Sequence, residues 1–323
     1  METIYLDHQV LVDFYDNRID KKDLLDIDKN RFKVFYSPAH CEEICNGFVK
    51  GAYLKEDTDR RLELLYKITD GNEVLPYYSP RFKIQSSPYG RGGILLVTEK
   101  PHTCFDRVIK NISSNPQAED TQKTVLEDSQ DKFEGLSEKQ RADEINRIKK
   151  LDPVKDILKS KDVLNKMKSE FVELLSQSHA LINMHNRGIA IQPFTEKIKR
   201  IMSRDAGFLH YHLKDEYDSF ADRVLVNPKK YFPIIAKRHA TIETLIDVVM
   251  RNLAREYYYG DAVKKFSSSL HDHSHAIYGS YFDYFVTRDD NFRKRVSAAY
   301  EFLGIKTQVI NAKDTNWFDL FSK

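Results

Sequence analysis

A chain of 323 residues, 41% apolar and 31% charged, has room for two ordinary domains or for one domain with a large insertion. Lys plus Arg number 51 against 49 Asp plus Glu, a net charge of +2, so the chain is no uniformly basic nucleic-acid coat and any polyanion contact must come from a local patch. Three cysteines (Cys41, Cys45, Cys104) cannot all pair, no signal peptide opens the sequence and no apolar run approaches the roughly 18 residues of a membrane span. The expectation is a cytoplasmic protein with no membrane partner, and Cys41 and Cys45, four apart, read as small buried side chains of a helix.

Residues 3–6, TIYL, predict a short buried strand ending at Asp7, and Val10, Leu11 and Phe14 share the face of a following helix. FKVFY at 32–36 is a second strand. Ser37-Pro38 is a helix entry and Gly51 a stop. Residues 57–69 form a further helix before the turn Asp70-Gly71-Asn72. The order strand, helix, strand, helix, helix opens an α/β pattern.

That pattern breaks between 73 and 100, where GILLVT is the most strand-like run and PYGRGG at 88–93 reads as a turn, lacking the Lys-Ser/Thr of a P-loop. Residues 112–136 are polar and aperiodic, as an exposed linker would be. Ser137 to Gln140 has a capping-box pattern, and 138–150, 162–185, 194–203 and 240–259 carry helical spacing. The α/β pattern then returns: helix over 267–280, strand FDYFVT, helix from Asn291 to Leu303 with Gly304 at its C-cap, and a last strand KTQVI. The two ends therefore read as halves of one sheet, residues 1–75 and 239–323, around a mostly helical insertion, 76–238.

Four carboxylates occupy comparable places in this scheme. Asp7 ends the first strand, Asp289 lies just past FDYFVT, Glu43 is on the helix after the second strand and Asp272 on the helix before FDYFVT. Ligands of open parallel sheets bind beyond the strand C-termini, where strand order reverses. If the first strand and FDYFVT are neighbours there, the acids share a pocket. Crowded acids need protonation or a cation, and hard oxygen ligands suit Mg²⁺ or Mn²⁺. Lys264, Lys265, Arg288, Arg293, Lys294 and Arg295 would guide a polyanion to it. Taken singly, Asp7 and Asp289 or Asp290 read equally as helix N-caps, and Glu43 and Asp272 as solvated side chains.

IYLDHQVLVDF, VFYSPAHCEEI and above all LHDHSHAIYGSYFDYFVTRDDNFRKRVSAAYEFLGIKTQVI resemble the PIN-like nuclease superfamily. The resemblance covers about 50 residues at the front of the chain and about 55 at the back. It implies a three-layer α/β/α sandwich with a parallel sheet, and metal-dependent hydrolysis of phosphodiesters, RNA more than DNA. It implies that Asp7, Glu43, Asp272 and Asp289 are the catalytic, metal-holding acids, with Thr287 as the hydroxyl residue supporting them. Asp290 would assist or replace Asp289, and Glu42 competes with Glu43, which the motif favours. His8 and Gln9 stand where the family has small polar residues.

HDHSH at 271–275 puts His271 and His275 on one helical face, as in a zinc pair, but no Glu follows His271 in the HExxH manner. His275 and His40 are expected beside the acids as supporting groups or proton donors. Ordinary packing and a zinc site are the other readings. Tyr257-Tyr258-Tyr259 would stack bases or, more simply, pack in a core or interface. The function expected is an endoribonuclease of toxin, defence or RNA-processing type. Its alternatives are an interaction module whose Lys- and Glu-rich insertion binds a protein partner, and a zinc-dependent hydrolase. A homodimer is compatible with each.

Overall fold

The computed structural model describes residues 1–16, 18, 24–76, 94–112, 133, 135–186, 218–236, 239–259, 269–314 and 316–322. PYGRGG, the expected helix 194–203, Lys264 and Lys265 lie outside these, as does most of the expected linker.

The chain is α/β. Strands β1 (Glu2–Leu6), β2 (Phe32–Phe35), β5 (Tyr284–Thr287) and β6 (Gln308–Asn311) form a four-stranded parallel sheet in the order β2-β1-β5-β6. Their aromatic and β-branched residues suit a sheet covered on both faces. Strands β3 (Asn72–Pro76) and β4 (Ile94–Thr98) form an antiparallel hairpin. A parallel bridge between Tyr36 and Glu73 attaches it just past β2. The chain therefore runs outward from β1 through β2 to the hairpin, then returns with β5 on the other side of β1. β1 and β5 are the neighbours at the reversal, and they come from opposite ends of the sequence.

Side chains alternate across this sheet with the two-residue period of strands. Ile4, Leu6, Val34, Val286 and Ile310 pack with Val10, Leu11 and Phe14 of α1 (His8–Tyr15), Ile44 of α2 (Pro38–Val49), and Leu62 and Leu65 of α3 (Lys55–Thr69). Cys104 and Val108 join them from α4 (Pro101–Ile112), a helix absent from the expected elements, whose Pro101 sits at its start. Cys41, Cys45 and Cys104 are free and buried.

Tyr5, Phe35 and Phe285 belong to the second core. Its partners come from α5 (Glu138–Lys149), a π-helical turn (Pro153–Leu158), α6 (Lys161–Asn186), helical residues 218–226, α7 (Pro228–Ile235), α8 (His239–Arg255), α9 (Ser269–Gly279) and α10 (Asp290–Leu303). Met167 and Phe171 of α6 and Leu245, Val249 and Leu253 of α8 are in the same hydrophobic cluster as Tyr5 and Phe285. The inserted helices thus share a core with the sheet. Each fully buried aromatic contributes roughly 2–3 kcal/mol.

Two boundaries differ from expectation. The helix expected to reach 259 ends at Arg255, because the chain turns with Tyr257 and Tyr259 in the left-handed region (φ 59° and 51°). Phe133, placed by sequence in an exposed linker, is buried with its ring 4.4 Å from that of Tyr257, centroid to centroid. A helix C-cap does form at Gly304, φ 76°.

His239, at the start of α8, is buried with Nδ1 2.7 Å from the Tyr281 hydroxyl, and burial lowers its pKa to about 3. An unfolded histidine takes a proton near pH 6.5. The stability that the neutral ring contributes is complete above that pH and is lost as pH falls toward 3. His239→Gln should flatten the acid limb of the stability profile by up to about 3 kcal/mol between pH 7 and pH 4, read by urea unfolding at the two values.

Candidate metal centre at the strand switch point

β1 ends where its ladder with β5 ends, and the Asp7 amide still donates to the Val286 carbonyl (2.8 Å). That contact fixes Asp7 at the tip between the two strands. Thr287, the last residue of β5, donates from Oγ1 to Asp7 Oδ2 (2.6 Å) and accepts from the Asp289 amide (3.2 Å). Asp7 occupies the N-cap position of α1 but makes no capping bond. Its carboxylate is turned instead to the site.

Ser37-Pro38 starts α2, whose His40 and Glu43, three apart, share a face. α9 lies against that face, with His271 and His275 four apart. His271 Nε2 lies 2.8 Å from the Asn46 amide nitrogen, and its Nδ1 is 3.9 Å from Glu42. His275 Nε2 lies 2.8 Å from Glu43 Oε1 and 4.0 Å from Asp7 Oδ1. Asp7, Glu43 and His275 thus offer two carboxylate oxygens and one imidazole nitrogen, all within 4.8 Å of one another. Glu43, not Glu42, faces the cluster.

Behind His275 is a buried polar chain. The Tyr5 hydroxyl is 2.8 Å from His275 Nδ1 and 2.6 Å from Ser37 Oγ. The Ser37 amide donates to His40 Nδ1 (3.1 Å), and His40 Nε2 is 2.7 Å from the Leu6 carbonyl. A carbonyl only accepts, so His40 carries its proton on Nε2 and is neutral. Burial, reinforced by the charge of His275, holds its pKa well below the usual value.

Electrostatics in the cluster follow from burial and pairing. Burial pushes the Asp7 carboxyl up to about 6 against the opposing pull of His275 and the Thr287 hydrogen bond. Burial also acts to raise Glu43, but the charge of His8 and the hydrogen bond from His275 outweigh it and bring it to about 2. For His275, the pull of Glu43 overcomes desolvation, and its pKa is raised. His8 is buried, its pKa lowered by desolvation. Its Nε2 stands 3.9 Å from Glu43 Oε2, and its Nδ1 has no hydrogen-bond partner.

The other expected site residues have partners of their own. Asp272 is not in the three-residue cluster. It pairs with Arg295 (3.4 Å). Asp289 caps α10, accepting from the Phe292 amide at 2.9 Å, as one of its two sequence readings held. Asp290 binds Arg293 (2.7 Å), and Arg288 binds Asp13. Lys294 sits over the Tyr259 ring at 5.9 Å. Arg295, expected among the cations facing a polyanion, is 3% exposed and donates to the Tyr259 carbonyl (2.7 Å), so it holds the interior together instead. Tyr257 and Tyr259 pack against the core and Tyr258 is in it.

Sequence reasoning missed Tyr5 and Ser37 as site residues. Tyr5 had a signal: it lies two positions before Asp7, on the opposite strand face from Ile4 and Leu6, with a hydroxyl that a buried ring must satisfy. No protein-family model, curated protein or solved structure matches this chain. Among the described residues, no helix is long and apolar enough to cross a membrane.

Proposed function

We propose that this chain is a metal-dependent phosphodiester hydrolase with a PIN-like three-layer α/β/α architecture, acting on RNA in preference to DNA. One observation carries the reading: two carboxylates and an imidazole converge at the switch point of a parallel sheet, beyond its strand C-termini. The choice of RNA rests on the family resemblance.

The donor set fits a divalent cation. Asp7, Glu43 and His275 would hold it, and the buried, upward-shifted Asp7 is an acid that a neighbouring positive charge would relieve. A bound divalent ion supplies an activated water and charge stabilisation at phosphorus. The chain's own groups set the frame. Thr287 fixes the Asp7 carboxylate by its hydrogen bond, and the Asp289 amide fixes Thr287. Glu43 stays ionised across the physiological range. His8, uncharged at neutral pH, faces Glu43 from α1 and borders a small cavity with Tyr15, Ile44 and Arg61. The inserted helices brace α9 and α10 through the shared core.

The test is incubation of end-labelled single-stranded RNA and DNA with the protein in Mn²⁺, Mg²⁺ or EDTA, beside Asp7→Asn. RNA cleavage that needs metal should fall in the variant by more than the roughly 10–100-fold expected for loss of an outer-shell partner. Cleavage that survives EDTA, or is equal in Asp7→Asn, rules the reading out.

A further inference from the structure

His275 Nε2 is hydrogen-bonded to Glu43 Oε1 (2.8 Å) and stands 4.0 Å from Asp7 Oδ1, and since a carboxylate only accepts, that nitrogen carries a proton in the metal-free protein. Its other nitrogen, Nδ1, is 2.8 Å from the Tyr5 hydroxyl, which is 2.6 Å from Ser37 Oγ, and His40 behind them is held by the Ser37 amide and the Leu6 carbonyl. A metal ion would displace the Nε2 proton, and a metal-binding histidine is held by just such an outer partner on its other nitrogen. His8 stands beside the set, 6% exposed, with its Nε2 3.9 Å from Glu43 Oε2.

From this we infer that the site takes a divalent ion that accepts nitrogen, Mn²⁺ or Zn²⁺ rather than Mg²⁺, with His275 Nε2 as a ligand and Tyr5 as the positioning residue behind it. The inference rests on the reading of Asp7, Glu43 and His275 as a cation site. Mg²⁺ demands oxygen ligands and gives up its water reluctantly, whereas imidazole suits Zn²⁺, and Mn²⁺, which also favours carboxylate oxygen, is a transition ion that takes a nitrogen ligand beside it. The set Asp-Glu-His therefore discriminates in a way that an all-carboxylate site would not. Of the neighbouring acids, Asp272 is paired with Arg295 and Asp289 caps α10, and both act on the set through their charge.

The experiment is titration of the metal-free full chain with Mn²⁺, Zn²⁺ and Mg²⁺ by calorimetry, with pulsed electron paramagnetic resonance on the Mn²⁺ complex. One Mn²⁺ per chain is expected, bound at least about tenfold more tightly than Mg²⁺, with nitrogen coupling in its spectrum. Tyr5→Phe should weaken Mn²⁺ binding by roughly 10–100-fold and leave weak Mg²⁺ binding unchanged. His275→Asp should abolish the nitrogen coupling and bring the affinities for the two ions together. Mn²⁺ bound without nitrogen coupling in the wild-type protein, or Mg²⁺ bound as tightly as Mn²⁺, overturns the inference, and neither result depends on a variant folding. Nitrogen-coupled Mn²⁺ on a protein that cuts neither RNA nor DNA would leave this inference standing and remove the nuclease. Metal-dependent cutting without nitrogen coupling would do the reverse.

Discussion

In EDTA at pH 8, Asp7→Asn is expected to be more stable than the wild-type protein, and at pH 4 the two should be equal. Burial lifts the Asp7 carboxyl from its ordinary 3.8 to about 6. A carboxyl raised on folding favours the folded state while it is protonated, and that advantage is lost as pH climbs through the folded value. The difference of about two units corresponds to about 3 kcal/mol at most. Asparagine keeps an acceptor for the Thr287 hydroxyl and presents no charge to Glu43. Metal should reverse the order. A ligand at a thousand times its Kd stabilises the protein that binds it by about 4.1 kcal/mol, and Asp7→Asn forfeits most of that. Thermal melts of both proteins at pH 4 and pH 8, with and without Mn²⁺, separate the effects. A variant less stable than wild type at pH 8 in EDTA would show that the Asp7 carboxylate is held by favourable contacts and not by a frame awaiting a cation.

Arg295→Met should cost about 3–5 kcal/mol, as loss of one partner of a buried ion pair does. Arg295 lies within α10, 3% exposed, tying Asp272 of α9 to the Tyr259 carbonyl after α8. Removing it leaves Asp272 buried without its guanidinium. Arg295→Met/Asp272→Leu should recover a large part of the loss, because no uncompensated charge remains. Denaturant unfolding of both single variants and the double gives the coupling energy. Additive losses would mean that the two side chains act independently. The cycle also bears on catalysis. Asp272 is the third acid of the family pattern, yet here it is bound to an arginine while His275, three residues on, stands in the cluster. A loss of activity in Asp272→Asn is informative only in a protein shown to be folded.

Much of the frame was legible. The β-branched and aromatic runs at both ends of the sequence gave strands, and their placement beside one another put Asp7 at the switch point. Ser37-Pro38 opened α2 in the expected register, which carried Glu43 to the site. That His275 joins Asp7 and Glu43 while Asp272 turns to Arg295 was not legible, because residues three apart on a helix differ by about 60° in direction, and a single sequence does not say which way α9 is turned. The role of Arg295 was open to inspection and was overlooked. Phe292, Arg295, Val296, Ala299 and Leu303 form one buried helical stripe, and a cation on such a stripe belongs to the interior. Phe133 had no such signal, since its aperiodic surroundings hide its distant partner Tyr257.

The Thr287–Asp7 hydrogen bond joins residues 280 positions apart in the chain. At a ribosome adding about 5–20 residues per second, Asp7 waits some tens of seconds before its partner strand exists. Until β5 emerges, β1 has an unpaired edge, and His275 and Thr287 have yet to be made. The centre is therefore assembled late, when nearly all of the described chain is already outside the tunnel. A half-made copy beside its own message therefore lacks a complete centre, and the activity proposed for it waits on the pairing of β5.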